Sequence, residues 1–485
     1  MKLLFCPLLA AALAAPLVLA QAPKRPLSLD DMARIRAVGD PQCSPDGQWV
    51  AYTVGHVDVK GDKHVTHIWM ASLDGKQNLQ MTDGQQSESA PRWSPDGKYL
   101  SFTSSRPGAA HGNQVWLLNR AGGEATQLTN VKGSLHSYAW SPDSKQLGLV
   151  IEDPDPNAPA PDASHNGPPP PPKPIIIDRY KFKEDRIGYL TDRETHVYLF
   201  DIASKKLTRL TTGHDDENNP VWSPDGSRIA FFSKHDPHPD RKLDGRIWVI
   251  DVRPGAVERA ITADTDYAED SRAAWSPDGK QIAFLEGAAN QWGAYTMQRL
   301  AVVEADGSDP AAVIVPSWDR GVSNPTFTAD GKSVVVLTAD DRNQYPLLVD
   351  MAQHTTQRLL DEPMAVNAYS VHGSCDVGLI GYNDRAPEVY REQPNGKPIE
   401  LSHQNDALFQ QLDLAKVEDI SFPSSDGTDV HGLLYLPVGY RAGARVPFLL
   451  RIHGGPDGQH THSFNFESQF FAAHGYAVLN VNYRG

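Results

Sequence analysis

The chain has 485 residues, with 45 Lys plus Arg against 60 Asp plus Glu and a formal charge of −15. A surface that acidic repels phosphate backbones and anionic lipid, which argues against nucleic-acid and membrane-surface binding. Gly and Pro number 38 each, an excess that calls for many tight turns and short strands and excludes an all-helical protein.

Residues 1–20, MKLLFCPLLAAALAAPLVLA, set one Lys before an apolar run that closes on small residues. This is the layout of a cleaved secretory signal. An uncleaved anchor is the alternative, and Pro16 and the shortness of the run argue against it. No later stretch approaches the roughly 20 apolar residues of a membrane span. The expectation is an exported protein, periplasmic or secreted, with no membrane contact after signal cleavage. Segment 21–40 then leads into the first repeat. Cys6 leaves with the signal, so Cys43 and Cys375 remain, too few for a disulfide framework or a four-thiolate zinc site.

From residue 41 the chain repeats itself. Trp93-Ser94-Pro95-Asp96-Gly97 recurs at 222–226 and 275–279, with variants at 43–47, 140–144 and 327–331. Ser at the first turn position, Pro at the second and Gly at the fourth suit a type I turn. Alternating apolar residues follow, as in Arg228-Ile229-Ala230-Phe231, and read as a strand. A second word closes each repeat: an aromatic or apolar run, a turn, then Leu-Thr or Ile-Thr, as in Val115-Trp116-Leu117-Leu118 closing at Leu128-Thr129. Seven second words require a seventh first word, for which 371–382 is the degenerate candidate.

Most repeat starts lie about 50 residues apart, and two hairpins in that length make one four-stranded propeller blade. The reading is an all-β seven-bladed propeller over 41–412, with eight or six blades as alternatives. One interval, between Ser141 and Ser223, is longer and holds the Pro-rich insertion 153–174, in which Pro168 to Pro172 favour polyproline II. A solvated loop is the preferred reading of that insertion over a docking motif. Cys43 and Cys375 would fall on turns of neighbouring blades, where equivalent points lie beyond the roughly 7 Å reach of a disulfide. Two free thiols are expected.

The pattern changes near Lys416. Residues 417–422 and 430–436 read as strands. The run Pro447-Phe448-Leu449-Leu450-Arg451-Ile452 passes directly into His453-Gly454-Gly455-Pro456. A helix is expected over 465–474, with Gly475 at its left-handed end, and then the nearly all-apolar strand 476–481 of a sheet covered on both faces. Strands alternating with a helix imply a parallel α/β sheet. Together the fold class is a seven-bladed propeller followed, over 416–485, by the N-terminal part of an α/β-hydrolase domain. In such a domain the loop after the third strand offers a backbone N–H to an oxyanion. Glycine there leaves room for the substrate carbonyl.

The SPDG blades, Tyr180-Lys181-Phe182 through Gly188-Tyr189-Leu190, His453-Gly454-Gly455-Pro456, the segment 470–479 and Asn482-Tyr483-Arg484-Gly485 resemble the prolyl oligopeptidase family of serine peptidases. The bacterial branch similar to acylaminoacyl-peptidases and dipeptidyl-aminopeptidases fits best. The resemblance covers nearly all of 27–485. It implies a propeller that restricts a hydrolase site to short peptides, and it gives Gly455 the role of oxyanion-hole N–H donor. The chain departs from the family in lacking any Gly-x-Ser-x-Gly elbow, so the Ser/Asp/His triad is absent from it. The expectation is therefore a chain truncated before the nucleophile and inactive as it stands. The glutamate pair that anchors a free amino terminus in the dipeptidyl-peptidase IV branch has no counterpart, which leaves the exopeptidase mode open.

His460-Thr461-His462 and His235-Asp236-Pro237-His238 read as solvated loop residues. Asp264, Asp266, Glu269 and Asp270 read as an exposed charge cluster without the order of a calcium loop. No metal and no cofactor are expected. The expected partners are short peptide substrates, with an oligomer left open. The alternative function is a non-catalytic exported propeller that binds peptides or an envelope protein.

Overall fold

A computed structural model describes residues 23–483 apart from 109–111, 155–173, 178, 186–187, 191–192, 290, 294, 394–396 and 456–457. The expected signal, most of the Pro-rich insertion, Pro456, Arg484 and Gly485 lie outside the described residues. No helix among the described residues is long and apolar enough to cross a membrane.

Five four-stranded antiparallel sheets follow one another in chain order. The first holds Ala37–Cys43, Trp49–Asp58, Lys63–Ser72 and Asn78–Gln80. The fourth holds Glu217–Trp222, Arg228–Ser233, Arg246–Asp251 and Arg259–Ala260. An eight-stranded sheet spanning Val322 to Glu400 completes the series, its two halves joined by the single parallel pairing of Gln344 with Ala365. The first strand opens at Ala37, inside the segment expected to precede the propeller.

The SPDG words form the turns that their chemistry asks for. The Gly47 amide donates to the Ser44 carbonyl at 2.9 Å and the Ser44 hydroxyl donates to Asp46 at 2.6 Å. Gly47 has φ +63°, a conformation that favours glycine. Ser144, which replaces glycine in the degenerate word, is held at φ +62°.

Apolar residues pack between successive sheets rather than within one central core. Val50, Tyr52 and Leu73 of the first sheet share a cluster with Val377, Leu379 and Val389 of the last. The series of sheets therefore closes on itself, as in a β-propeller.

The expectation of two free thiols is wrong: Cys43 and Cys375 form a disulfide across this seam, with Cα atoms 6.0 Å apart. The two positions are not equivalent in their sheets. Cys43 ends the first strand of its sheet, whereas Cys375 opens the strand Cys375–Tyr382. That offset brings them together, and the Cys43 amide donates to Ser370 Oγ at 3.2 Å.

Beyond Leu412, Val417–Pro423, Asp429–Tyr435, Ala477–Asn482 and Phe448–Ile452 form a mixed sheet in that spatial order. The last two strands run parallel, linked through the helix Phe466–Ala473. Asn465 caps the helix by accepting from the Ser468 amide at 2.9 Å, and Gly475 follows it at φ +89°. The N-terminal segment joins this region: Arg25–Pro26 pairs with Leu412–Asp413, and Leu27 packs with Leu408, Leu412, Phe466 and Phe470.

Candidate active-site loop

The strand Phe448–Ile452 delivers His453, Gly454 and Gly455 at its C-terminal end, ahead of the helix Phe466–Ala473. Gly455 is exposed. Two residues at the end of the neighbouring strand hold the loop from behind. The Tyr483 hydroxyl donates to the His453 carbonyl at 2.8 Å, and its ring stacks on the imidazole at 4.4 Å. The Asn482 side chain accepts from the His460 amide at 2.7 Å and donates to the His460 carbonyl at 3.0 Å. Arg451, just before the loop, donates to Asn465 at 2.7 Å and Ser468 at 3.0 Å, tying the strand end to the helix cap.

Contrary to the sequence reading, His462 is buried and His460 is half-buried. Burial, with His453 and Arg451 nearby, lowers the His460 imidazole to about 4. His462 is buried, its Nδ1 2.9 Å from Asn383 Nδ2 and its Nε2 3.4 Å from Asp419. The physical reason is a contact that the sequence does not announce. The propeller turn at Asp341 and Arg342 has φ +42° and +69° without glycine, and it docks on this loop. His462 N–H donates to the Arg342 carbonyl at 2.7 Å, Gln459 donates to the Asn343 carbonyl at 3.0 Å, and Asp341 pairs with His431.

His235 is likewise mostly buried, packing on Trp248 at 3.8 Å between ring centroids, whereas His238 is exposed as expected. In the acidic loop, Asp264 is exposed and pairs with Arg246 at 3.2 Å, while Asp270 accepts from Asn219 at 2.9 Å.

Sequence comparison matches residues 189–305 to the dipeptidyl peptidase IV (DPP IV) N-terminal region. The chain is 24% identical over 487 residues to the uncharacterized peptidase YuxL of Bacillus subtilis, covering 95% of this chain and 71% of that protein. It is 25% identical to dipeptidyl-peptidase 5 of Porphyromonas gingivalis, covering 92% of this chain and 66% of that one. The acylaminoacyl peptidase of Pyrococcus horikoshii superposes with a TM-score of 0.73 at 18% identity, over 93% of this chain and 66% of its own. By sequence and by fold, the chain is a relative of the prolyl oligopeptidase-family peptidases.

Proposed function

We propose that this chain is the gating and oxyanion-binding portion of a serine peptidase that hydrolyses short peptides. Counting the eight-stranded sheet as two blades makes the ring over 41–412 a seven-bladed propeller. Residues 416–485 are then the opening of an α/β-hydrolase domain. The observation that carries this reading is the His453-Gly454-Gly455 segment, which leaves a parallel strand ahead of a helix, with Tyr483 holding His453 and Asn482 holding His460 farther along the same loop.

Acyl transfer develops negative charge on the scissile carbonyl oxygen, and a fixed backbone N–H stabilises that charge without reorganising. Gly455 fits this role because it is exposed and carries no Cβ to crowd the carbonyl. The propeller turn at Asp341 and Arg342 reaches the same loop, which supports a propeller that limits access by substrate size. Export to the periplasm or beyond belongs to the same reading, and the Cys43–Cys375 bridge supports it, since disulfides persist in oxidising compartments.

Gly-x-Ser-x-Gly does not occur in these 485 residues, and an oxyanion donor without a nucleophile and base forms no acyl-enzyme. The purified chain should therefore not cleave aminoacyl-, dipeptidyl- or acylaminoacyl-nitroanilides. A chimera that continues the chain after Tyr483 with the part of dipeptidyl-peptidase 5 lying beyond the matched region should cleave one of these classes. Turnover by the unextended chain, or a folded chimera inert toward all three, would overturn the proposal. Peptide binding by such an inert chimera would favour the non-catalytic propeller instead.

A further inference from the structure

Two junctions between neighbouring sheets are built on the same plan. At the first, Glu88 is fully buried, with Oε2 2.8 Å from His67 Nδ1 and accepting from Thr82 at 3.0 Å. Its other oxygen accepts from Arg106 at 2.6 Å, and Arg106 lies over Trp116 at 5.0 Å. The charge is neutralised by a permanent cation.

The second junction repeats these parts around Glu217. This carboxylate is also fully buried, with Oε2 2.8 Å from His196 Nδ1 and accepting from Thr211 at 3.0 Å. Arg209 donates to the other nitrogen of His196, which leaves Nδ1–H to face Glu217. The residue in the place of Arg106, two positions after the second strand of the sheet, is His235, stacked on Trp248. In the place of Ala125, just before the fourth strand, stands Glu258.

The substitutions change the charge balance. One buried carboxylate facing an arginine becomes two carboxylates facing an imidazole. His235 Nε2 lies 3.3 Å from Glu258 Oε2 and 4.0 Å from Glu217 Oε1. All three donor atoms are within 4.8 Å of one another. Each is buried without a hydrogen-bond partner among the described residues, although Glu217 has no exposed side-chain surface at all. No Lys or Arg forms an ion pair with Glu217 or Glu258 among the described residues. Leaving such atoms unpaired in an interior is costly.

We propose that Glu217, His235 and Glu258 form a binding site for a first-row divalent cation of the Zn²⁺ class. Imidazole with carboxylate oxygens is a donor set that such ions accept. Bonds of about 2.0–2.2 Å set tetrahedral donor atoms about 3.3–3.6 Å apart. The His235–Glu258 separation already falls in that range, and the Glu217 distance needs only a small contraction. His196 and Thr211 supply the outer hydrogen bonds that orient a ligating carboxylate, since they hold Oε2 and direct Oε1 inward. Two other groups gather similar residues but do not compare. Asp153–Glu194–His196 has its histidine engaged by Glu217 and Arg209. In Glu400–His403–Asp406 the histidine and Asp406 are about half exposed.

The test is zinc content of the chain after equilibration with ZnSO₄ and desalting, read by elemental analysis beside the thermal midpoint. The informative variant is His235→Arg, which installs the ion pair of the first junction and should keep the fold. Wild type should retain one more Zn²⁺ per chain than His235→Arg, and Zn²⁺ should raise the midpoint of wild type only. If His235→Arg fails to fold, Glu258→Ala, which restores the residue type of the first junction, serves in its place with the same expectation. Equal zinc in wild type and a folded variant, or no zinc in wild type, would overturn the proposal.

Discussion

Cys43 and Cys375 join the first sheet of the propeller to the last across a sequence separation of 332 residues. The strands of each of these two sheets come from one continuous stretch of chain, so none crosses the seam. Side-chain packing around Val50, Tyr52, Val377 and Leu379, a few hydrogen bonds such as Cys43 N–H to Ser370 and Arg391 to the Leu73 carbonyl, and this one covalent bond keep the ring closed.

Opening the bond should therefore loosen the ring. A cross-link spanning a long loop contributes about 2–4 kcal/mol by restricting the unfolded chain. Cys43→Ser combined with Cys375→Ser should lower stability by that amount, with Cys43→Ser alone no less affected. Urea midpoints with and without reductant read the effect. Identical midpoints for the oxidised and reduced protein would contradict it.

The strand Phe448–Ile452 lies at the edge of its sheet and exposes Phe448, Leu450 and Ile452 by 56%, 54% and 66%. An exposed apolar edge strand templates association between chains. Replacing Leu450 and Ile452 together by Thr should reduce light scattering on heating and dye binding to apolar surface. A scattering onset unchanged from wild type would reject the edge as the source. Cutting the chain near Asp413 is a poorer remedy, because it strips Phe466 and Phe470 from Leu27, Leu408 and Leu412.

The loop that carries Gly455 should be sensitive to acid. His460 titrates near 6.5 when unfolded and at about 4 when folded, chiefly because burial disfavours its charged form. The unfolded chain thus binds more protons between those values, so stability from this group is full above pH 6.5 and declines as pH falls toward 4. His460→Gln should flatten the fall in thermal midpoint between pH 7 and pH 5. An equally steep fall in the variant would assign the acid response elsewhere.

What could be read from the sequence was local chemistry. The SPDG turns were legible because Ser44, Asp46 and Gly47 bond to one another within four positions. The helix after the HGGP loop was legible from its apolar run and from Gly475. The Cys43–Cys375 bridge was not, because it depends on which strand of each sheet carries the cysteine. The docking of Arg342 was hidden as well, since the turn takes a left-handed backbone without glycine. His235 read as a solvated loop residue because Glu217 and Glu258 reach it only through strand pairing. The Tyr483 and Asn482 clamp was present in the Asn-Tyr-Arg-Gly word, but its role needed the sheet order.

The role of Gly455 is tested most directly by kcat per folded molecule in the dipeptidyl-peptidase 5 chimera, compared with the same chimera carrying Gly455→Val. Val keeps the backbone N–H, but its side chain crowds the carbonyl out of reach of that donor, and forfeiting one oxyanion hydrogen bond costs about 2.7–4 kcal/mol, or 10²–10³ in rate. The account predicts a fall of that size in kcat with KM nearly unchanged, while the propeller keeps its thermal midpoint. An unchanged kcat accompanied by a lowered midpoint would show that Gly455 serves only the turn, and would contradict the account.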